Sequence, residues 1–240
     1  VGISVYTVRP EEAKENHPAV SAFIDGSVKK ICNLEPDLII GFSDIQADLA
    51  AKLIRANQQV LIFNQRSIDE ILEVILTIGR IVSAEDRARK LVKSYKTTIE
   101  EVKQRSLKLE YRPKVYFEEW DKPTFSAIRW VSELIEIAGG NDIFSEKSFG
   151  KLASEREIQW SDVVEQNPDI ILASWCGKPV DINSIKKRPN WNSITAVRED
   201  RIHELDPSII LQPGPACLTD GLRVIEKFIH DISDLTESNS

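Results

Sequence analysis

Short apolar runs alternate with longer stretches of helical periodicity along this chain. Runs at Gly2–Tyr6, Leu38–Gly41, Val60–Phe63, Lys114–Phe117, Ile170–Ala173 and Ile202–Leu205 have the length and β-branched content of strands. Helical patterns separate most of them, which predicts a mostly parallel sheet in each half. Ser67-Ile68-Asp69-Glu70 has the form of a capping box, so a helix should run from there to about Val82. A second helix should start after Ser83, with Glu85 and Asp86 in its positive first turn. Its apolar positions are Ala88, Leu91, Val92, Tyr95, Ile99, Val102 and Leu109, a helical spacing that ends before Arg112-Pro113. Continuous to Leu109, it would be ~39 Å long at ~1.5 Å per residue. No flexible Gly/Ser-rich linker is present, so this helix reads as a stiff connector. The expected division is an N-terminal lobe over 1–82, a linking helix over 83–111 and a C-terminal lobe over 112–240. In the second lobe, helices are expected over Trp130–Ala138, stopped by Gly139-Gly140, and over Ala216–Ile232. The polar tail Thr236–Ser240 should fray.

Two segments echo one another. Asn33-Leu34-Glu35-Pro36-Asp37 leads into Leu38-Ile39-Ile40, and Glu165-Gln166-Asn167-Pro168-Asp169 leads into Ile170-Ile171-Leu172. In each, a helical pattern stops at Pro-Asp and a run fit for a strand buried on both faces begins. The spacing is 169 − 37 = 132 residues, far longer than a solenoid repeat. The echo predicts two similar α/β lobes.

Composition narrows the function classes. Net charge is −7, which argues against a nucleic-acid partner, since a basic stripe would be needed. No apolar run approaches the ~20 residues that span a bilayer. The start, Val1-Gly2-Ile3-Ser4-Val5-Tyr6, shows no signal peptide and the chain has no Met, so it is expected to begin after processing or trimming. Cys32, Cys176 and Cys217 are far apart, without a CxxC pair; free thiols are expected, and a Cys176–Cys217 bridge is the alternative. His17, His203 and His230 lie in separate segments without ligand spacing, so no metal site is expected. No P-loop, GxGxxG or GxSxG motif appears. Glu118 and Glu119 are neighbours on a predicted strand and should face opposite ways, which removes them as an acid–base pair. No catalytic residue and no cofactor is therefore assigned.

Ligands of open α/β sheets sit beyond the carboxyl ends of the strands. The residues there are Tyr6 to Arg9, Phe42-Ser43-Asp44, Asn64-Gln65-Arg66, Glu119-Trp120 to Pro123, Trp175 and the turn at Pro213. Aromatic rings mixed with hydrogen-bonding side chains make a small-molecule site. The alternative for Phe42 and Trp175 is that they cap the sheet core. Trp160 and Trp191 lie away from strand exits and read as packing residues.

Several motifs resemble the helical-backbone (class III) periplasmic substrate-binding proteins of ABC importers, of the cobalamin and ferric-siderophore type. They are Phe117-Glu118-Glu119-Trp120-Asp121-Lys122-Pro123, Arg129-Trp130 through Gly139-Gly140, Leu34-Glu35-Pro36-Asp37, Asn167-Pro168-Asp169 and Ser174-Trp175-Cys176-Gly177. Leu211-Gln212-Pro213-Gly214-Pro215 followed by Leu218-Thr219-Asp220-Gly221-Leu222 is most similar to the subgroup called cobalamin-binding proteins. The resemblance covers nearly the whole chain. It implies two Rossmann-like lobes joined by one long helix, with the ligand in the cleft between them. It places Phe42 and Trp120 at aromatic positions of that cleft, and Tyr6, Trp175 and Asn64–Arg66 at its rim. It implies docking on a membrane permease through Asp48 and Asp162. Family members usually begin with a further strand and helix, so the first lobe is expected to be incomplete, trimmed or rearranged.

The resemblance implies a monomeric protein that binds a corrinoid such as cobalamin, or a similar metal chelate, and hands it to an importer. Ferric siderophore or haem is the alternative ligand. A cytosolic sensor or an enzyme on the same fold is the alternative class. The expected location is periplasmic or membrane-anchored outside the cytoplasm, with a cytoplasmic place left open by the lack of a visible signal.

Overall fold

A computed structural model of the chain describes residues 1–22 and 24–237. It divides into two compact units, Val1–Gln65 and Arg66–Ser240. The first holds β1 (Ile3–Ser4), α1 (Ala13–Asn16), β2 (Ala19–Ser21), α2 (Val28–Cys32), β3 (Ile39–Phe42), α3 (Ala47–Arg55) and β4 (Val60–Phe63). The second opens with α4 (Ile68–Ile81) and α5 (Glu85–Ser106), followed by β5 (Lys114–Glu118), β6 (Trp120–Asp121), β7 (Thr124–Phe125), α6 (Arg129–Ile137) and β8 (Asn141–Asp142). It ends with α7 (Trp160–Gln166), β9 (Ile170–Ala173), α8 (Ile182–Lys186), α9 (Thr195–Arg198), β10 (Ile202–Glu204), α10 (Pro207–Ile210) and α11 (Leu222–Glu237).

In the first unit, β1 pairs with β2 and β3 with β4, both in parallel. The β3–β4 register runs Ile39 to Val60 through Phe42 to Phe63. This brings the two strand exits side by side. Leu49 and Leu53 of α3 join Ile31 in a small core, packed with Val20, Val28, Ile39 and Val60. Helical spacing alone puts Leu49 and Leu53 on one face.

In the second unit, four parallel strands lie in the order β10-β9-β5-β8. All four residues of β9 are fully buried, as are Val115, Tyr116, Phe117 and Glu118. Burial on both faces explains why β9 reads as a continuous apolar run rather than an alternating one. Tyr116, Ile171 and Ala173 face a core with Ile185, Trp191 and Ile194. The helix-and-sheet architecture with parallel strands agrees with the expected fold class. Four strands had no signal in the sequence. β2 and β8 have three and two residues, and the β6–β7 hairpin pairs only Trp120 with Phe125 and Asp121 with Thr124.

The α4 cap is as expected: the Ser67 hydroxyl accepts from the Glu70 N–H, and the Glu70 carboxylate accepts from the Ser67 N–H. The second helix stops at Ser106 rather than Leu109; its 22 residues span about 33 Å. The last helix begins at Leu222, after a wider turn over Cys217–Gly221, and runs to Glu237, so the start of the expected frayed tail is helical. Residues 238–240 lie outside the described residues. The three cysteines are free thiols, and Cys217 is buried in that turn.

A glycine sets the approach of α4 to α5. A Cβ on Gly79 would lie 2.4 Å from the Ala88 Cβ, so any side chain there forces the helices apart. Gly79→Leu should cost about 1–3 kcal/mol by overpacking. Urea unfolding should show a lower midpoint, and an unchanged midpoint would contradict the close packing.

Asp142 on β8 is 2% exposed. Burial pushes its carboxyl up to about 6, helped by the nearby Glu136, against hydrogen bonds from the Ser132 hydroxyl and the Phe144 N–H. An unfolded Asp titrates near ~3.9, so between about pH 4 and 6 the folded chain holds the extra proton. Stability from this group is present at low pH and lost as pH rises through that window, by up to roughly 3 kcal/mol. The difference in unfolding free energy between wild type and Asp142→Asn should therefore change across pH 4–6, a window set by about those two pKa values. A flat difference would contradict this.

Candidate ligand site

The exits of β5 and β9 build the site in the second unit. Glu118 ends β5 and Glu119 follows it, and each of the two has its own arginine. Glu119 pairs with Arg156, which is 2% exposed and also donates to the Ser126 carbonyl at 2.8 Å. Glu118 has no exposure at all. Arg188 clasps it through Nη1 at 2.5 Å and Nη2 at 2.8 Å. The Tyr116 hydroxyl donates to Oε2 at 2.9 Å and the Trp175 indole N–H to Oε1 at 3.2 Å. A buried carboxylate is tolerated when its lone pairs are filled this way. Burial works against the Arg188 charge, but Glu118 outweighs it and raises the guanidinium further. Burial, then the Glu118 charge, pushes the Tyr116 hydroxyl well up, so it serves as a donor.

Above this pair the aromatic rings gather. The Arg188 guanidinium lies over Trp191 at 4.5 Å and Trp160 at 4.9 Å. The Lys178 ammonium lies over Trp120 at 4.4 Å and Trp175 at 4.7 Å, and 2.7 Å from an Asp121 oxygen. Burial opposes the Asp121 charge, but Lys178 wins and holds the carboxyl below its ordinary range. A pocket of about 440 Å³ opens here, lined by Trp160, Trp175, Lys178, Asp121, Ser184 and Arg188 among others. A larger groove of about 760 Å³ runs along α5, but its walls are long solvated side chains such as Lys93, Lys96, Glu100 and Glu101, without an aromatic ring. Ligand sites need rigid apolar faces with a few fixed polar groups, so the smaller pocket is the better candidate.

The sequence candidates divide between the units. In the second unit, Trp120 and Trp175 belong to this cluster, and Pro123 lies in the turn between β6 and β7. Trp175 is only 2% exposed, because its edge is tied to Glu118 and Lys178 lies over its face. Glu119 is committed to Arg156. Pro213 lies in the turn before Cys217. Arg66 leads into α4, where its N–H donates to Glu70 at 2.6 Å. In the first unit, Phe42, Ser43 and Asp44 follow β3 while Asn64 and Gln65 follow β4, adjacent through the strand register. Ser43 is 4% exposed, has a positive φ and donates to the Asp44 carboxylate at 2.7 Å. Tyr6 and Arg9 lie exposed in the loop after β1. Asp48 is exposed in the first turn of α3; Asp162 caps α7 by accepting from the Gln159 N–H. Trp191 is fully buried packing, whereas Trp160 also lines the pocket.

Lys178, Arg188 and Ser184 escaped the sequence reading, whereas Asp121 lay within the strand exit from Glu119 to Pro123. Lys178 lies three residues past Trp175 and was within reach of the strand-exit argument. Arg188, in Lys186-Lys187-Arg188-Pro189, looks like ordinary surface charge until the fold buries it. Among the described residues, no group of three or more His, Cys, Asp or Glu could hold a metal ion.

The family described as periplasmic binding protein matches residues 1–209. The chain belongs to the periplasmic binding protein family. An uncharacterized ABC transporter substrate-binding lipoprotein of Bacillus subtilis strain 168, YvrC, is 24% identical over 241 residues, covering 96% of this chain and 73% of the relative. Two solved structures show the same fold. The periplasmic heme-binding protein RhuT of Roseiflexus sp. RS-1 matches at TM-score 0.81 and 20% identity, over 97% of this chain and 90% of that one. The periplasmic vitamin B12 binding protein BtuF of Vibrio cholerae matches at TM-score 0.73 and 19% identity, over 97% and 88%. This periplasmic binding protein is thus an ABC transporter substrate-binding protein.

Glu118→Ala should leave the Arg188 charge buried and unpaired, a loss of about 3–5 kcal/mol. Denaturant titration should show it, and adding Arg188→Met should recover a large part. A single variant as stable as the wild type would mean that the pair does not hold the site.

Proposed function

We propose that this protein captures a corrinoid or a similar metal chelate, carries out no chemistry on it, and delivers it to a membrane permease. The observation that carries the reading is the cluster of Trp120, Trp160 and Trp175 at the β5 and β9 exits, around a pocket of about 440 Å³. Indole faces give area and rigidity to a large ligand, and the polar groups around them fix its orientation. Phe42, Ser43, Asp44, Asn64, Gln65, Tyr6 and Arg9 are the proposed ligand contacts of the first unit. Haem is kept as a second ligand, because a relative of this fold carries a haem-binding name, and ferric siderophore is kept beside it on the sequence resemblance. Asp48 and Asp162 are the proposed docking acids for the permease. The protein acts as a monomer outside the cytoplasmic membrane, in keeping with a relative named as a lipoprotein. No helix among the described residues is long and apolar enough to cross a membrane.

A ligand that binds only the folded chain stabilises it by about 2.7 kcal/mol at a hundredfold excess over Kd. Melting scans with cyanocobalamin, haemin and ferric siderophores should show one class raising Tm, with quenched tryptophan fluorescence. Unchanged melting with all three would count against the chelate reading.

A further inference from the structure

We propose that the recess formed by the Trp120 and Trp175 rings and the Asp121 carboxylate is a cation-binding subsite. In the free protein its occupant is the protein's own Lys178, and a ligand places a positively charged group there in its stead. The inference rests on the ligand reading above and adds the charge class of the bound group.

The cage is fixed before anything enters it. The Trp175 N–H is spent on Glu118 at 3.2 Å and the Trp120 N–H on the Lys122 carbonyl at 3.1 Å. With both polar edges committed, the rings offer their π faces, which attract cations. The Lys178 ammonium shows what fits: it lies 4.4 Å and 4.7 Å from the two ring centroids and 2.7 Å from Asp121. Each of these partners is negative toward it.

The occupant is less fixed than its cage. Lys178 follows Gly177, whose φ is +84° and whose missing Cβ would meet nothing within 4 Å. Its side chain is 40% exposed. The arm can swing away without opening a packed core. Arg188 does not replace it, because Glu118 already claims that charge. Once Lys178 leaves, Asp121 faces two indoles without a counter-ion, so the recess selects a cation and refuses an anion.

The test uses choline and its uncharged carbon isostere, 3,3-dimethyl-1-butanol, at constant ionic strength, read by tryptophan fluorescence. Lys178→Ala should bind choline saturably, at least about tenfold tighter than the alcohol, as cation–π attraction requires. The wild type should bind choline at least about tenfold more weakly than the variant, because a tethered amine competes at a high effective concentration. Adding Trp120→Ala to Lys178→Ala should abolish the choline response. Lys178→Gln serves as the second variant, removing the charge with less loss of volume. Equal affinity for choline and the alcohol, or equal choline affinity in wild type and variant, would overturn the proposal. Choline needs no native ligand, so its failure removes the subsite alone. Failure of the chelate screen instead removes the ligand reading.

Discussion

Glu118 has no contact with solvent, and four hydrogen-bond donors from three side chains converge on its two oxygens. This one carboxylate ties together the end of β5, the exit of β9 and the loop after α8. An isolated buried charge would cost far more than the fold can supply. Arg188 removes that cost, and Tyr116 and Trp175 fill the remaining lone-pair directions. The arrangement also fixes two groups that line the pocket, the Trp175 ring and the Arg188 guanidinium. Stability and binding geometry therefore share a cause.

The second layer is a set of cations over aromatic rings. Arg188 lies over Trp160 and Trp191, and Lys178 over Trp120 and Trp175. The first is pinned by Glu118 from below. The second hangs from an open turn and reaches Asp121. A rigid base with a movable arm is what a binding site needs if it must hold its shape and still exchange its contents. The parallel sheet explains why both layers meet at one place, since β5 and β9 run side by side and end together, with Glu118 opposite Ala173.

Much of the fold was legible because it rests on local rules. β9 is a run of β-branched and aliphatic residues between Pro-Asp and Ser-Trp, and burial on both faces demands that composition. The α4 cap follows from Ser67 and Glu70 alone. The strand-exit rule pointed to Trp120 and Trp175, and the alternation of neighbouring side chains at the end of β5 separated Glu118 from Glu119, which pair with different arginines. Arg188 was not legible: an arginine beside two lysines becomes buried only because a carboxylate distant in sequence waits for it. Trp160 reads as packing because it lies away from the strand exits, yet its indole N–H donates to the Thr124 hydroxyl at 2.8 Å and its ring lines the pocket. The β6–β7 hairpin is too short to leave a periodic signal.

Family membership gives the chain the role of a substrate-binding component, and the aromatic cluster directs the proposal toward a large chelate. The most direct measurement is native mass spectrometry of the chain purified from cells supplied with corrinoid, haem and siderophore. The account predicts a species heavier than the 27.2 kDa chain by the mass of one metal chelate, lost on denaturation. A spectrum holding only the bare chain under every supply would contradict it.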